Sequence, residues 1–142
     1  MYSTDVEKAK EMARKAHEGA EDKSGMPYIS HPERVAERLR RPEEKVVGWL
    51  HDVVEDTDVT LTDIEQEFGA DTAMALDAVT HRKGEPWAAY LARVKANPIA
   101  TAVKISDLID NSNLSRLADV SAKDVRRQAK YNRALYFLMD VD

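Results

Sequence analysis

Cysteine does not occur among the 142 residues. Its absence removes disulfides, thiolate zinc sites and cysteine nucleophiles together. Glycine and proline number only five each, and most fall between segments of helical period. No apolar run approaches the roughly 20 residues that span a bilayer. The polar start, Met1-Tyr2-Ser3-Thr4-Asp5, lacks a signal-peptide pattern. Strand-like alternation bounded by hairpin turns is missing too, which argues against a sheet. Positive charge is in the minority: 21 Lys and Arg face 26 Asp and Glu, a net −5. An acidic surface repels nucleic-acid backbones but leaves a small anionic substrate open, because a bound divalent cation reverses the local field. The expectation is a cytoplasmic protein with no nucleic-acid and no membrane partner.

What is present is 43% hydrophobic and 33% charged residues, a balance that builds a buried core. The length suits one domain, residues 1–142. Thr4-Asp5-Val6-Glu7 reads as a capping box, with Val6, Ala9, Met12, Ala13 and Ala16 on one face of a helix ending near Gly19. Ser30 is the expected N-cap of a helix to about Leu39, and Pro42 opens the next. In that next helix Val46, Val47, Trp49, Leu50, Val53 and Val54 make an apolar set too broad for a surface helix, so it is read as central and most buried. Thr60 or Thr62 caps a short helix stopping at Phe68-Gly69, and Asp71 to about His81 forms another. Pro86 opens a helix to Lys95, Asn97-Pro98 separates one over about Ile99–Ile109, and Ser121 caps a last one to about Met139. The predicted fold is all-α, a helical bundle.

Chemistry concentrates in Leu50-His51-Asp52-Val53-Val54-Glu55-Asp56. Residues three and four apart share a helix face, so Glu55 and Asp56 lie one turn beyond His51 and Asp52. Burying such carboxylates unpaired is costly, and a divalent cation compensates; a solvated helix end is the plainer reading. His31, at a predicted helix start, is either a ligand or a capping or core histidine. Asp107, in the apolar stretch Val103–Ile109, needs a metal or an arginine as partner. Together the two imidazoles and two carboxylates form a mixed N/O set suited to a six-coordinate ion rather than a closed structural zinc site. His81-Arg82-Lys83-Gly84 suits a phosphate contact through Arg82, or simply a helix end stabilised by cations. Lys104 pairs with Asp107 or with substrate. Trp49, Trp87 and Tyr90 read as core or interface, and Arg116 as surface.

These residues, in this order, resemble the HD superfamily and within it the hydrolase domain of the RelA/SpoT alarmone enzymes. The matching pieces are Ala16-His17-Glu18-Gly19, Gly25 to Pro32, Leu50 to Thr57, Ile64 with Phe68-Gly69, Ala78-Val79-Thr80, and Val103 to Asp107 with Asn111. The resemblance implies an HD-type fold with Mn²⁺, or else Fe²⁺, Co²⁺ or Mg²⁺, on His31, His51, Asp52 and Asp107. It implies that Glu55 and Asp56 organise or activate the attacking water, and that Asn111 meets the substrate, a small phosphorylated nucleotide. The implied reaction removes pyrophosphate from the 3′ position of guanosine tetra- or pentaphosphate.

Two departures stand beside the match. Asp22 occupies the position of a base-stacking arginine, with Lys23 keeping a neighbouring cation. Asp107-Leu108-Ile109-Asp110-Asn111 lacks the arginine and histidine of the Asp-Arg-x-His-Asn pattern. Lys23, Asn111, Lys104 and Arg82 are therefore the candidate substrate contacts. The alternatives are an HD phosphatase acting on another nucleotide, or a catalytically silent metal-binding module.

Overall fold

The computed structural model describes residues 2–19, 21, 25, 27, 29–115 and 117–140, the side chains of residues 2–4 aside. Lys23, Asp22 and Arg116 lie outside the described residues. The elements are helices α1 (Tyr2–Ala16), α2 (Ser30–Glu37), α3 (Pro42–Leu50), α4 (Val53–Asp56), α5 (Leu61–Phe68), α6 (Ala70–Val79), α7 (Trp87–Lys95), α8 (Pro98–Ser112) and α9 (Ala122–Met139). Among the described residues there is no strand, only an isolated bridge between Glu21 and Pro27.

Local chemistry accounts for most of the boundaries. Thr60 accepts from the Asp63 backbone N–H and Asp63 accepts from the Thr60 N–H, a reciprocal box that starts α5. Ser121 and Asp124 do the same for α9. The Asn97 side chain caps α8, and Pro98 follows in the first turn, where its missing N–H costs nothing. Gly69 separates α5 from α6 at φ 99°, a left-handed backbone that a residue with a Cβ adopts at a cost.

Two expected caps are corrected. Helix α1 already begins at Tyr2, so Thr4 to Glu7 lie inside it rather than at its start. Ser30 is the first residue of α2, not its cap, and its hydroxyl donates to the Pro27 carbonyl at 2.8 Å. The larger correction concerns the predicted central helix, which breaks at His51-Asp52 into α3 and α4. The His51 Nδ1–H donates to the Gly48 carbonyl at 2.7 Å, a side chain taking up a carbonyl at the helix end.

Helix α3 is the hub, as its apolar breadth predicts. It packs against α1, α2, α6 and α8, and Val46, Val47, Trp49 and Leu50 are buried. At Gly48 an added Cβ would sit 2.8 Å from Leu39 Cδ1 and 3.3 Å from Ala36 Cα. The missing side chain is what lets α2 lie this close to α3. A second tie, Ser106 Oγ donating to the Val35 carbonyl at 2.8 Å, fastens α8 to α2. Three helices are thus held together where the ionisable residues meet.

Candidate metal centre

His31 comes from the first turn of α2, His51 and Asp52 from the α3–α4 junction, and Asp107 from the third turn of α8. The break after Leu50 matters here. In a continuous helix adjacent residues point about 100° apart, whereas the turn brings His51 Nε2 to 3.2 Å from Asp52 Oδ2. His31 Nε2 lies 3.2 Å from His51 Nε2, 2.9 Å from Asp107 Oδ1 and 3.8 Å from Asp52 Oδ2. Asp107 Oδ1 lies 3.3 Å from His51 Nε2. His31, His51 and Asp52 offer ligand atoms all within 4.8 Å of one another.

The far side of each imidazole decides what its near side can do. His51 Nδ1 faces a carbonyl, which only accepts, so Nδ1 carries the proton. His31 Nδ1 faces Asp110 Oδ2 at 2.6 Å, and the same reasoning holds. With Nδ1 protonated, the neutral form of each ring leaves its Nε2 lone pair for an ion, an arrangement typical of ligating histidines. Separations of 2.9–3.8 Å are those of atoms sharing one ion at about 2.1 Å. Two carboxylates beside two rings in that neutral form would also match a double positive charge. The donor set fits a divalent ion.

The charges inside the cluster are strongly coupled. Burial alone would push His51 down, but the Asp52 and Asp107 carboxylates hold it well above its ordinary value. Burial would raise Asp52, yet the charge on His51 brings it down to about 2. Asp107 is likewise held low against its burial, first by Lys104 and then by His51. The Lys104 ammonium donates to Asp107 Oδ2 at 2.9 Å and lies over the Tyr90 and Trp87 rings. The Asp107 contact is one of its two expected pairings. Asn111 Nδ2 donates to Asp107 Oδ1 at 3.0 Å, so this side chain too is directed at the cluster.

Glu55 and Asp56 follow on α4. Glu55 Oε1 accepts from the His81 backbone N–H at 3.0 Å, and burial, then the Asp52 charge, raises its pKa. Asp56 is raised for the same two reasons. His17, buried nearby, is pushed down by desolvation although Asp52 and Asp56 pull the other way. Arg82 is exposed and pairs with Asp77 at 3.0 Å.

Arg34 and Arg38 are absent from the sequence reading, and Asp110 enters it only as a departure from the family pattern, with no role given. Asp110 is 0% exposed and accepts from His31, from Arg34 Nε at 2.7 Å and from Arg38 at 3.3 Å. That charge-assisted set holds its carboxyl far below the usual range despite burial. The signal was there in the spacing: 31, 34 and 38 share one face of α2, and 107, 110 and 111 share one face of α8.

A helical fold that gathers one histidine, an adjacent His-Asp pair and a distant aspartate has the arrangement of the HD class. The chain belongs to the HD domain family, which matches it over residues 9–127. It is 30% identical over 122 residues to a guanosine-3′,5′-bis(diphosphate) 3′-pyrophosphohydrolase of Aquifex aeolicus, covering 78% of this chain and 18% of that one. A crystal structure of lmo0812 from Listeria monocytogenes superposes with a TM-score of 0.64 at 30% identity, covering 82% of this chain and 85% of that one. A metazoan ortholog of SpoT, described as hydrolysing ppGpp, shares the fold with a TM-score of 0.78 at 19% identity, over 95% and 85% of the two chains. The chain spans less than a fifth of the length of the curated relatives it matches. No described helix is long and apolar enough to cross a membrane.

Proposed function

We propose that this chain is a metal-dependent phosphohydrolase that removes the 3′ pyrophosphate of a guanosine tetra- or pentaphosphate. Residues 1–142 are read as one catalytic unit working in the cytoplasm, with Mn²⁺ as the first candidate ion. The observation that carries this is the convergence of His31 Nε2, His51 Nε2, Asp52 and Asp107, with both Nδ1 atoms engaged behind them. The pyrophosphohydrolase named among the relatives supports the choice of substrate.

A divalent ion held by these four residues supplies positive charge for a phosphoryl oxygen and acidifies water. Glu55 takes the proton of the attacking water, and its raised pKa suits a general base working nearer neutrality. The water oxygen bonds to the phosphorus next to ribose O3′, the P–O3′ bond breaks, and the proton held by Glu55 passes to the leaving oxygen. Asp56 holds the water in line from the next position on α4. Asn111 and Lys104 act from α8, Asn111 towards substrate and Lys104 by fixing Asp107. Lys23 and Arg82 are the remaining candidate cations for phosphate.

One observation favours a related reading, an HD phosphohydrolase with another nucleotide as substrate. Leu108 is fully buried in the core and Asp110 is engaged by His31, so neither side chain is available to substrate. Product analysis with Mn²⁺-loaded protein and a panel of 3′- and 5′-phosphorylated nucleotides decides between them, with Asp52→Ala as control. Pyrophosphate from guanosine tetraphosphate, absent in the variant, supports the first reading. Phosphate from a different nucleotide supports the second, and no turnover of any of the panel overturns both.

A further inference from the structure

Next to the metal centre lies a row of rings that the proposed chemistry does not use. His81 is exposed, yet its imidazole is stacked on the buried Tyr90, with centroids 4.5 Å apart and planes 17° apart. Trp87 stands at its edge, 5.8 Å away and inclined by 63°. Exposed side chains are ordinarily free to change rotamer, and fixing one costs entropy. This one is fixed. Its Nε2–H donates to the Glu85 carbonyl at 2.7 Å, and Glu85 is gripped by Arg93 through two 2.7 Å contacts. Tyr90 behind it is locked by its own hydroxyl, which donates to the Val79 carbonyl. A flat ring backed by a second ring and anchored at its edge is preorganised to receive a third on its solvent side.

The row is joined to the reacting centre at two points. The backbone N–H of His81 donates to Glu55, and Lys104 bridges Asp107 to the faces of Tyr90 and Trp87. At its outer end Lys130 rests 4.2 Å from the Trp87 centroid, and among the described residues no carboxylate is paired with it. The combination of an open aromatic face, a cation at the rim with no paired carboxylate among the described residues and the candidate metal centre on the inner side matches the parts of one ligand: base, phosphate and reacting phosphoryl group.

We infer that the outer face of His81, flanked by Trp87, is the stacking platform for the base of the nucleotide, with Lys130 meeting one of its phosphates. The inference rests on the nucleotide reading above and names the residues that read the non-reacting part of the substrate.

Isothermal titration of the full chain with GDP and with ribose 5-phosphate, which has no base, tests it. Wild type should bind GDP more tightly. His81→Ala should lose GDP affinity by roughly 10-fold, as removal of a stacking ring does, so that the GDP-to-ribose-phosphate ratio collapses. His81→Phe, which keeps a flat ring but loses the bond to Glu85, should recover most of the ratio. Trp87 should report the event by a fluorescence change absent in Trp87→Phe. Equal GDP affinity in wild type and His81→Ala, or an equal loss for both ligands, overturns the platform and leaves nucleotide hydrolysis standing. A wild type that does not distinguish GDP from ribose 5-phosphate overturns the nucleotide reading along with it.

Discussion

Asp110 Oδ2 sits 2.6 Å from His31 Nδ1, and the aspartate that makes this contact is wholly buried. One carboxylate thereby sets the tautomer of a candidate metal-ligand imidazole and accepts from Arg34 and Arg38 behind it. Removing it leaves three donors facing a void.

Asp110→Ala should therefore lose metal affinity by roughly 10- to 100-fold, the usual cost of deleting the partner of a ligating histidine. It should also lose about 3 kcal/mol of stability, since breaking a buried ionic set strands the groups left behind. Asp110→Asn keeps an acceptor for the ring and should fall between the two. Metal titration together with urea unfolding of the three proteins checks both parts. An alanine variant that binds metal like wild type would show that His31 needs no orienting partner.

Metal binding should stabilise the fold. A ligand that binds only the folded state adds about 2.7 kcal/mol at 100 times its Kd. For a chain of this size that is a rise of roughly 5–10 °C in Tm. Thermal scans with chelator and with added Mn²⁺ give the answer, and identical curves would count against a metal centre.

Glu55→Ala and Asp52→Ala should separate catalysis from metal holding. The Glu55 variant should keep its metal and lose roughly 10²–10⁴-fold in turnover, the range for a general base. The Asp52 variant should lose both turnover and metal. Turnover at the wild-type rate in Glu55→Ala would remove that residue from the role of base and pass it to Asp56.

The loop between α6 and α7 carries a pH-dependent contribution to stability. The Arg93 guanidinium, through two hydrogen bonds, lowers Glu85 to about 2 from an ordinary value of 4.5. A carboxylate whose folded pKa is depressed stabilises fully above its unfolded value. That contribution fades as pH falls from about 4.5 towards 2. Glu85→Gln should thus melt below wild type at pH 7, and the gap should narrow through that window. A gap independent of pH would mean that shape rather than charge holds the loop.

Much of this was legible in the chain itself because it is local. The caps at Thr60 and Ser121, the boundary at Asn97-Pro98, and the broad apolar face of α3 depend on residues within a turn or two of one another. The candidate donors and their order along the chain were equally readable, since burying His and Asp among apolar residues demands a partner. What local pattern did not carry was the break at His51-Asp52. Leu50 to Val54 keeps a helical apolar period, so periodicity predicts continuity. The competing bond from the His51 ring to Gly48 appears only once the side chains are in place.

Spacing along α2 and α8 places His31 and Asp110 each on a polar face but does not pair them. Each residue alone reads as a helix-face polar group, and only the docking of α2 onto α8 reveals which polar group meets which. The same is true of the ring stack at His81 and Tyr90. The amino-acid order determined an all-helical chain, its core and the donors available to a metal. Tertiary packing decided which donors face inward together, because that depends on how closely α2, α3 and α8 approach, a distance set by the bare backbone at Gly48 and the Ser106 tie to Val35.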